Sequence, residues 1–225
     1  VKACPNANMT VCARPFCADR TIRRSAEAWM AVIMTALVVA STITLLGPWG
    51  TSKRWANVTE VGNCGGCADH AAVVWTAALA AVPALWYLGA RLARTLAGAG
   101  EVPVREIFVR TSYLLVPLGL LAWTAFSIPL VMVNYSHITS SLSDPLGWGW
   151  NLFGTAEQHW RPLAPQLIPY LQIPLLLVGL VVSLARGATI VKELFPEGSA
   201  AARGLLPHGL LSTLITLVLL RLFVG

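Results

Sequence analysis

Apolar residues in this chain fall into five long runs instead of the short amphipathic stripes of a soluble helical protein. They extend over Ala28 to Trp49, Ala71 to Leu92, Val109 to Tyr135, Leu167 to Ile190 and Leu205 to Val224. A helix rises 1.5 Å per residue, so about 20 such residues cross roughly 30 Å of hydrocarbon. Each run predicts a transmembrane helix. Gly47-Pro48-Trp49-Gly50 stops the first, and Arg91 and Arg94, with Gly98 and Gly100 beyond, close the second. Pro117 and Pro129 predict kinks in the third, because proline lacks the N–H that a helix interior uses. The fifth run is short and carries Arg221 near its end, which leaves a crossing helix and a helix lying in the interface both open. The expected fold is an all-α polytopic membrane bundle of about five helices.

Composition supports lipid as the surrounding solvent. The chain is 56% hydrophobic and 12% charged, with a mean hydropathy of +0.67, more apolar than one soluble core requires. Nine tryptophans suit the membrane–water interface, and fourteen prolines are tolerable in spans whose neighbours satisfy the freed carbonyls. The net charge of +6 does not predict nucleic-acid binding, since the basic residues flank apolar runs and form no patch with interleaved aromatics. Topology accounts for them. With a cytoplasmic N-terminus, that side holds Lys2, Arg14, Arg20, Arg23, Arg24, Arg91, Arg94, Arg105, Arg110, Arg186, Lys192 and Arg203. Only Lys53, Arg54, Arg161 and Arg221 fall on the other. The organisation expected is a cytoplasmic tail over 1–27 and a helical domain over 28–225, with outer loops 50–69 and 136–165, in a bacterial cytoplasmic membrane. The second outer loop, rich in Gly, Pro and aromatics, either folds back as a cap or forms an aromatic belt at the headgroups.

The chemistry-bearing strings begin at the start of the chain. Val1-Lys2-Ala3-Cys4-Pro5 has neither an initiator Met nor a signal-peptide pattern, so residue 1 is not expected to be the native start. Cys4-Pro5 matches the last step of the bacterial ferredoxin motif C-x2-C-x2-C-x3-C-P, where the proline turns the chain away after the final thiolate. Cys12 and Cys17 stand at spacings that fit neither that motif nor a zinc knuckle. The string Lys2 to Asn8, then Ala13-Arg14-Pro15, a basic stretch and a multi-span domain resembles the junction of polyferredoxin-like integral membrane proteins. The loop Ser143 to Thr155 is similar to an outer loop of that family. The resemblance implies a cytoplasmic [4Fe–4S] module abutting the membrane domain, and only Cys4 carries over from it as a cluster ligand; Cys12 and Cys17 stand apart from it as weak metal-ligand candidates. It further implies electron relay to quinone or to other subunits of a membrane redox complex.

Cys64-Gly65-Gly66-Cys67-Ala68-Asp69-His70 is the second chemical string, a C-x2-C pair in the first outer loop. A structural disulfide, a redox-active pair and ligation of a metal with His70 are all open for it. As a catalytic pair, Cys64 and Cys67 would make the chain a membrane thiol–disulfide oxidoreductase; with no redox centre at all it would be a structural anchor. A transmembrane haem is not expected, because His70, His137, His159 and His208 all fall at helix ends or in loops. Spans one to four have no charged residue at their centres, which argues against an ion-coupled pump. Gln172, between Pro169 and Pro174, is a candidate quinone contact or a helix-packing residue. No hydrolase triad, phosphate loop or metalloprotease motif occurs.

Overall fold

The computed structural model describes residues 24–46 and 64–224. Helix α1 is Ser25–Leu46. Helix α2, Cys64–Thr76, runs through a π turn, Ala77–Ala81, into α3, Val82–Ala97. Helix α4, Val104–Thr111, continues through a 3-10 turn, Ser112–Leu114, into α5, Leu115–Val133. Helix α6, Tyr135–Ser143, is short; α7, Ile168–Leu194, and α8, Gly198–Val224, are long. No strand occurs among the described residues. Five stretches are long and apolar enough to cross a membrane: Ser25–Leu45, Cys64–Ala97, Val104–Val133, Pro165–Leu194 and Gly198–Val224. The chain is thus a helical integral membrane bundle, as its apolar runs predict.

The way each helix distributes its residues is that of a protein solvated by lipid. Along α3, Trp86, Gly89, Ala90, Ala93 and Ala97 face the bundle while Leu85, Leu88, Leu92 and Leu96 face out. Along α8, Gly204, His208, Ser212 and Thr216 recur every four residues on the buried face, and Leu206, Leu210, Leu214 and Leu217 are exposed. Lipid tails reward the leucines outside, so small and polar residues are free to line the helix contacts and bring backbones close. Gly119 shows how close: a Cβ built there would stand 2.8 Å from Thr35 Oγ1 on α1. Across the same contact the Trp123 indole N–H donates to the Met34 carbonyl at 3.0 Å.

Helices α5 and α7 pack along each other, and α8 lies between α3 and α7. One core cluster joins the start of α1 to Ala93, Ala97, Ile107, Phe108, Leu194, Phe195 and Ala201, at the end of the bundle that holds most of the Arg and Lys residues. A smaller cluster around Val38, Ala125, Phe126, Leu176 and Leu219 fills the opposite half.

Prolines stand just after both irregular turns, whereas Pro129 lies inside the unbroken α5. Before Pro83 the helix widens into the π turn, in which the Val82 N–H reaches back to the Ala77 carbonyl. Ahead of Pro117 the third span breaks into the 3-10 turn, and Ser183 Oγ of α7 donates to the Leu114 carbonyl there. The third crossing is therefore a broken helix, α4 through α5.

Span boundaries differ from the sequence expectation, most of all for the fifth. It is a helix of 27 residues packed on α3 and α7, not a short segment in the interface. Gly198 to Arg203 is too small and polar to read as apolar run, yet Ala200 and Ala201 bury against the core. The second span starts seven residues before the apolar run does, at Cys64. Helices in membranes commonly outrun the hydrocarbon, and hydropathy marks only the greasy part.

The second outer loop folds back as a cap. Asp144 accepts from the N–H groups of Trp148 and Gly149, both at 2.9 Å, which closes the turn after α6. Asn151, Thr155 and Ala156 then bond to Ser143, Thr139 and Ser140 of α6. The strap reaches the bundle through the last carbonyls of α5: Leu163 N–H donates to Met132 at 2.8 Å and Trp160 Nε1 to Val133 at 3.2 Å. These are carbonyls that the helix end itself leaves free.

Candidate functional site

Cys4, Cys12 and Cys17 lie outside the described residues. Cys64 and Cys67 are the first and fourth residues of α2, not members of a loop ahead of it. A helix puts such positions on neighbouring faces of one turn. Both thiols are unbonded; Cys64 is exposed and Cys67 half-buried. His70 follows two turns into the same helix, and no group of three or more His, Cys, Asp or Glu side chains able to hold a metal occurs among the described residues.

Gln172 is almost fully buried, and its Nε2 donates to the Ala125 carbonyl of α5 at 2.9 Å. The reason is written four residues on. Pro129 stands inside α5 and has no N–H to offer the Ala125 carbonyl, its usual partner in the helix ladder. Within lipid an unbonded carbonyl costs several kcal/mol on the order-of-magnitude scale, and Gln172 supplies the donor from the neighbouring helix. One N–H of its amide thus serves helix packing.

His208 departs most from the sequence expectation. Read from an apolar run starting at Leu205, it falls at the inner end of span five; the helix in fact starts at Gly198, so His208 lies ten residues in, roughly 15 Å along the axis. It is completely buried, and the only buried histidine among the described residues. Among the described residues, no Asp, Glu, Lys or Arg is buried with it. Three helices hold the ring. Gly89 of α3 leaves room for it: a Cβ there would meet His208 Nε2 and a Leu211 methyl at 3.3 Å each. Trp86, one turn earlier, stacks edge-on with ring centroids 4.6 Å apart. From α4, Thr111 Oγ1 stands 3.1 Å from Nε2.

Thr111 also fixes the tautomer. Its hydroxyl lies 2.7 Å from the Ile107 carbonyl, to which it donates its only proton, so toward the imidazole it can only accept. Nε2 therefore carries the ring proton and, in the neutral ring, Nδ1 is a bare acceptor. Nδ1, the Trp86 indole nitrogen and Ser212 Oγ are all buried and without a hydrogen-bond partner. The sequence signal for this site was present in the period-four row Gly204, His208, Ser212, Thr216, which crosses the fifth apolar run as a polar stripe.

At the basic end of the bundle, Arg110 pairs with Glu106 at 3.3 Å and Glu193 at 3.8 Å, and Arg91 lies over the Tyr87 ring at 5.4 Å. Between the turn 97–102 and the α7–α8 connection there is an open cavity of about 360 Å³, with Glu101 and Glu197 in its wall.

The chain matches no protein-family model, and no curated protein or solved structure is significantly similar to it.

Proposed function

We propose that this chain is the membrane domain of a redox complex in the bacterial cytoplasmic membrane. On this reading it carries an iron–sulfur module at its basic end and relays electrons from it to quinone or to a partner subunit. The observation that supports it is where the Cys4-Pro5 tail joins the bundle. The tail leads into the start of α1. Five antiparallel crossings bring the start of α1 to the same end as Arg91, Arg94, Arg105, Arg110, Arg186, Lys192 and Arg203. A positive rim there suits anionic headgroups and the acidic face of a partner, and its side is the cytoplasmic one by the positive-inside rule. Cys4 serves as a thiolate ligand, with the remaining ligands from neighbouring chain or from a partner.

Iron and acid-labile sulfide measured on the detergent-purified protein test this. About four iron per cluster are expected, with an electron paramagnetic signal on reduction that Cys4→Ser weakens or removes. Protein free of iron and sulfide would sink the proposal.

A second reading rests on the two free thiols in the first turn of α2. Cys64 and Cys67 would close to a disulfide, giving two electrons and two protons to a quinone. Alkylation of either thiol that leaves electron transfer to quinone intact would rule that role out.

A further inference from the structure

The cap is built inside out. Helical periodicity divides the short α6 into three stripes. Ser136, Ser140 and Ser143 turn toward the strap: Ser136 Oγ accepts from the Arg161 N–H, and Ser140 and Ser143 donate to the Ala156 carbonyl and to Asn151 Oδ1. Ser136 and Ser143 are fully buried. Tyr135, Ile138 and Leu142 make a second stripe, and all three are exposed, Leu142 at 60%. Asn134, His137 and Ser141 make a third, exposed and polar. A helix of a soluble protein buries its apolar stripe, whereas α6 buries hydroxyls and leaves the apolar stripe outside. The strap does likewise, with Trp148 at 68% and Phe153 at 70% exposed.

The depth of the cap follows from its attachments. Arg110, paired with Glu106 and Glu193, stands at the headgroups of the basic end. About 20 residues of helix cross the hydrocarbon, so the third crossing reaches the opposite boundary near residue 130. The strap is tied on at that level, by the Leu163 N–H on the Met132 carbonyl and the Trp160 indole on the Val133 carbonyl. Helix α6 starts just beyond, after Asn134, whose φ of −96° and ψ of 14° depart from the helix. The exposed apolar surface also runs on across this break, from Leu130 and Val131 of α5 to Tyr135 of α6.

We infer that α6 and the strap 144–163 form an interfacial anchor lying in the headgroup layer of the leaflet opposite the basic end, with α6 along the membrane plane. Phospholipid covers its apolar stripe: Tyr135, Ile138 and Leu142 rest on the acyl chains while His137 and Ser141 meet water. Tryptophan and tyrosine suit this layer because each ring is apolar at one end and hydrogen-bonds at the other. A free amphipathic helix needs a large apolar face to stay at the interface. Here the chain ties to α5 and α7 hold the element in place, so a stripe of three suffices. The inference rests on the membrane setting of the bundle and is independent of the iron–sulfur reading.

A photoreactive benzophenone amino acid, placed singly at exposed positions of the full chain in nanodiscs of phosphatidylethanolamine and phosphatidylglycerol, tests it. Positions 138 and 142 sample the apolar stripe, and 137 and 141 the polar one. After irradiation, mass spectrometry is expected to find phospholipid adducts at 138 and 142 in several-fold excess over 137 and 141. Equal yields on the two stripes, cross-links from 138 and 142 to a second polypeptide in place of lipid, or no phospholipid adduct at either position would overturn the inference.

Discussion

Gln172 and His208 are both buried polar side chains at helix contacts of one bundle, and they differ in why they are there. Gln172 answers a need of the backbone: Pro129 strips the Ala125 carbonyl of its donor, and the amide replaces it from α7. Around His208 the partners are side chains of two other helices, Trp86 and Thr111. The ring is recessed against Gly89 and bonded by Thr111 through Nε2, and its Nδ1 is buried without a hydrogen-bond partner. A fully bonded polar residue beside a proline is a repair of the fold. A polar group that the fold accommodates at a cost, and leaves incompletely bonded, is where function is to be sought.

The largest expected effect breaks the first half of that comparison. Gln172→Leu leaves the Ala125 carbonyl unbonded in an apolar surrounding, a loss of about 1–3 kcal/mol, read as a lower unfolding midpoint in detergent or nanodiscs. Pro129→Ala returns an N–H to position 129 and so to that carbonyl. In the double variant most of the Gln172→Leu loss is therefore recovered. Equal losses with and without Pro129 would show that Gln172 acts by shape and not by donating to Ala125.

A smaller effect sharpens the other half. Thr111→Val removes the acceptor of His208 Nε2–H in a fully buried position, and a loss of about 1–2 kcal/mol is expected. Thr111→Ser keeps the oxygen and loses mainly a methyl group. If Val and Ser cost the same, the hydroxyl does not hold the imidazole and the tautomer assignment fails.

How much of this was legible from the chain follows the same division. The five crossings were, because about 20 consecutive apolar residues admit few other structures. Their ends were not. Cys64 to His70 reads as loop because Gly65 and Gly66 are poor helix formers, yet the helix passes through both. Gly198 to Arg203 reads as linker although α8 starts there, and that error alone moved His208 from mid-helix to a helix end. Gln172 was visible as a residue between prolines, but its partner belongs to a proline 43 positions earlier, on another helix. Pairings of that range are set by packing, which periodicity does not report.

The smallest expected effect concerns the cap, whose polar residues resemble Gln172 in being bonded. Asp144 gathers two backbone N–H groups at 2.9 Å and thereby sets the turn that presents Trp148 and Trp150, stacked edge-on with centroids 5.3 Å apart. Both rings are exposed, so the turn contributes little to the global core. Asp144→Ala should therefore leave the unfolding midpoint within error while limited proteolysis cuts faster between residues 144 and 154, since the strap's other anchors, Leu163 and Trp160 on the last carbonyls of α5, remain. A lowered midpoint would mean that the cap and the bundle unfold as one unit. The outer end would then be as much a part of the core as the contact between α3 and α8.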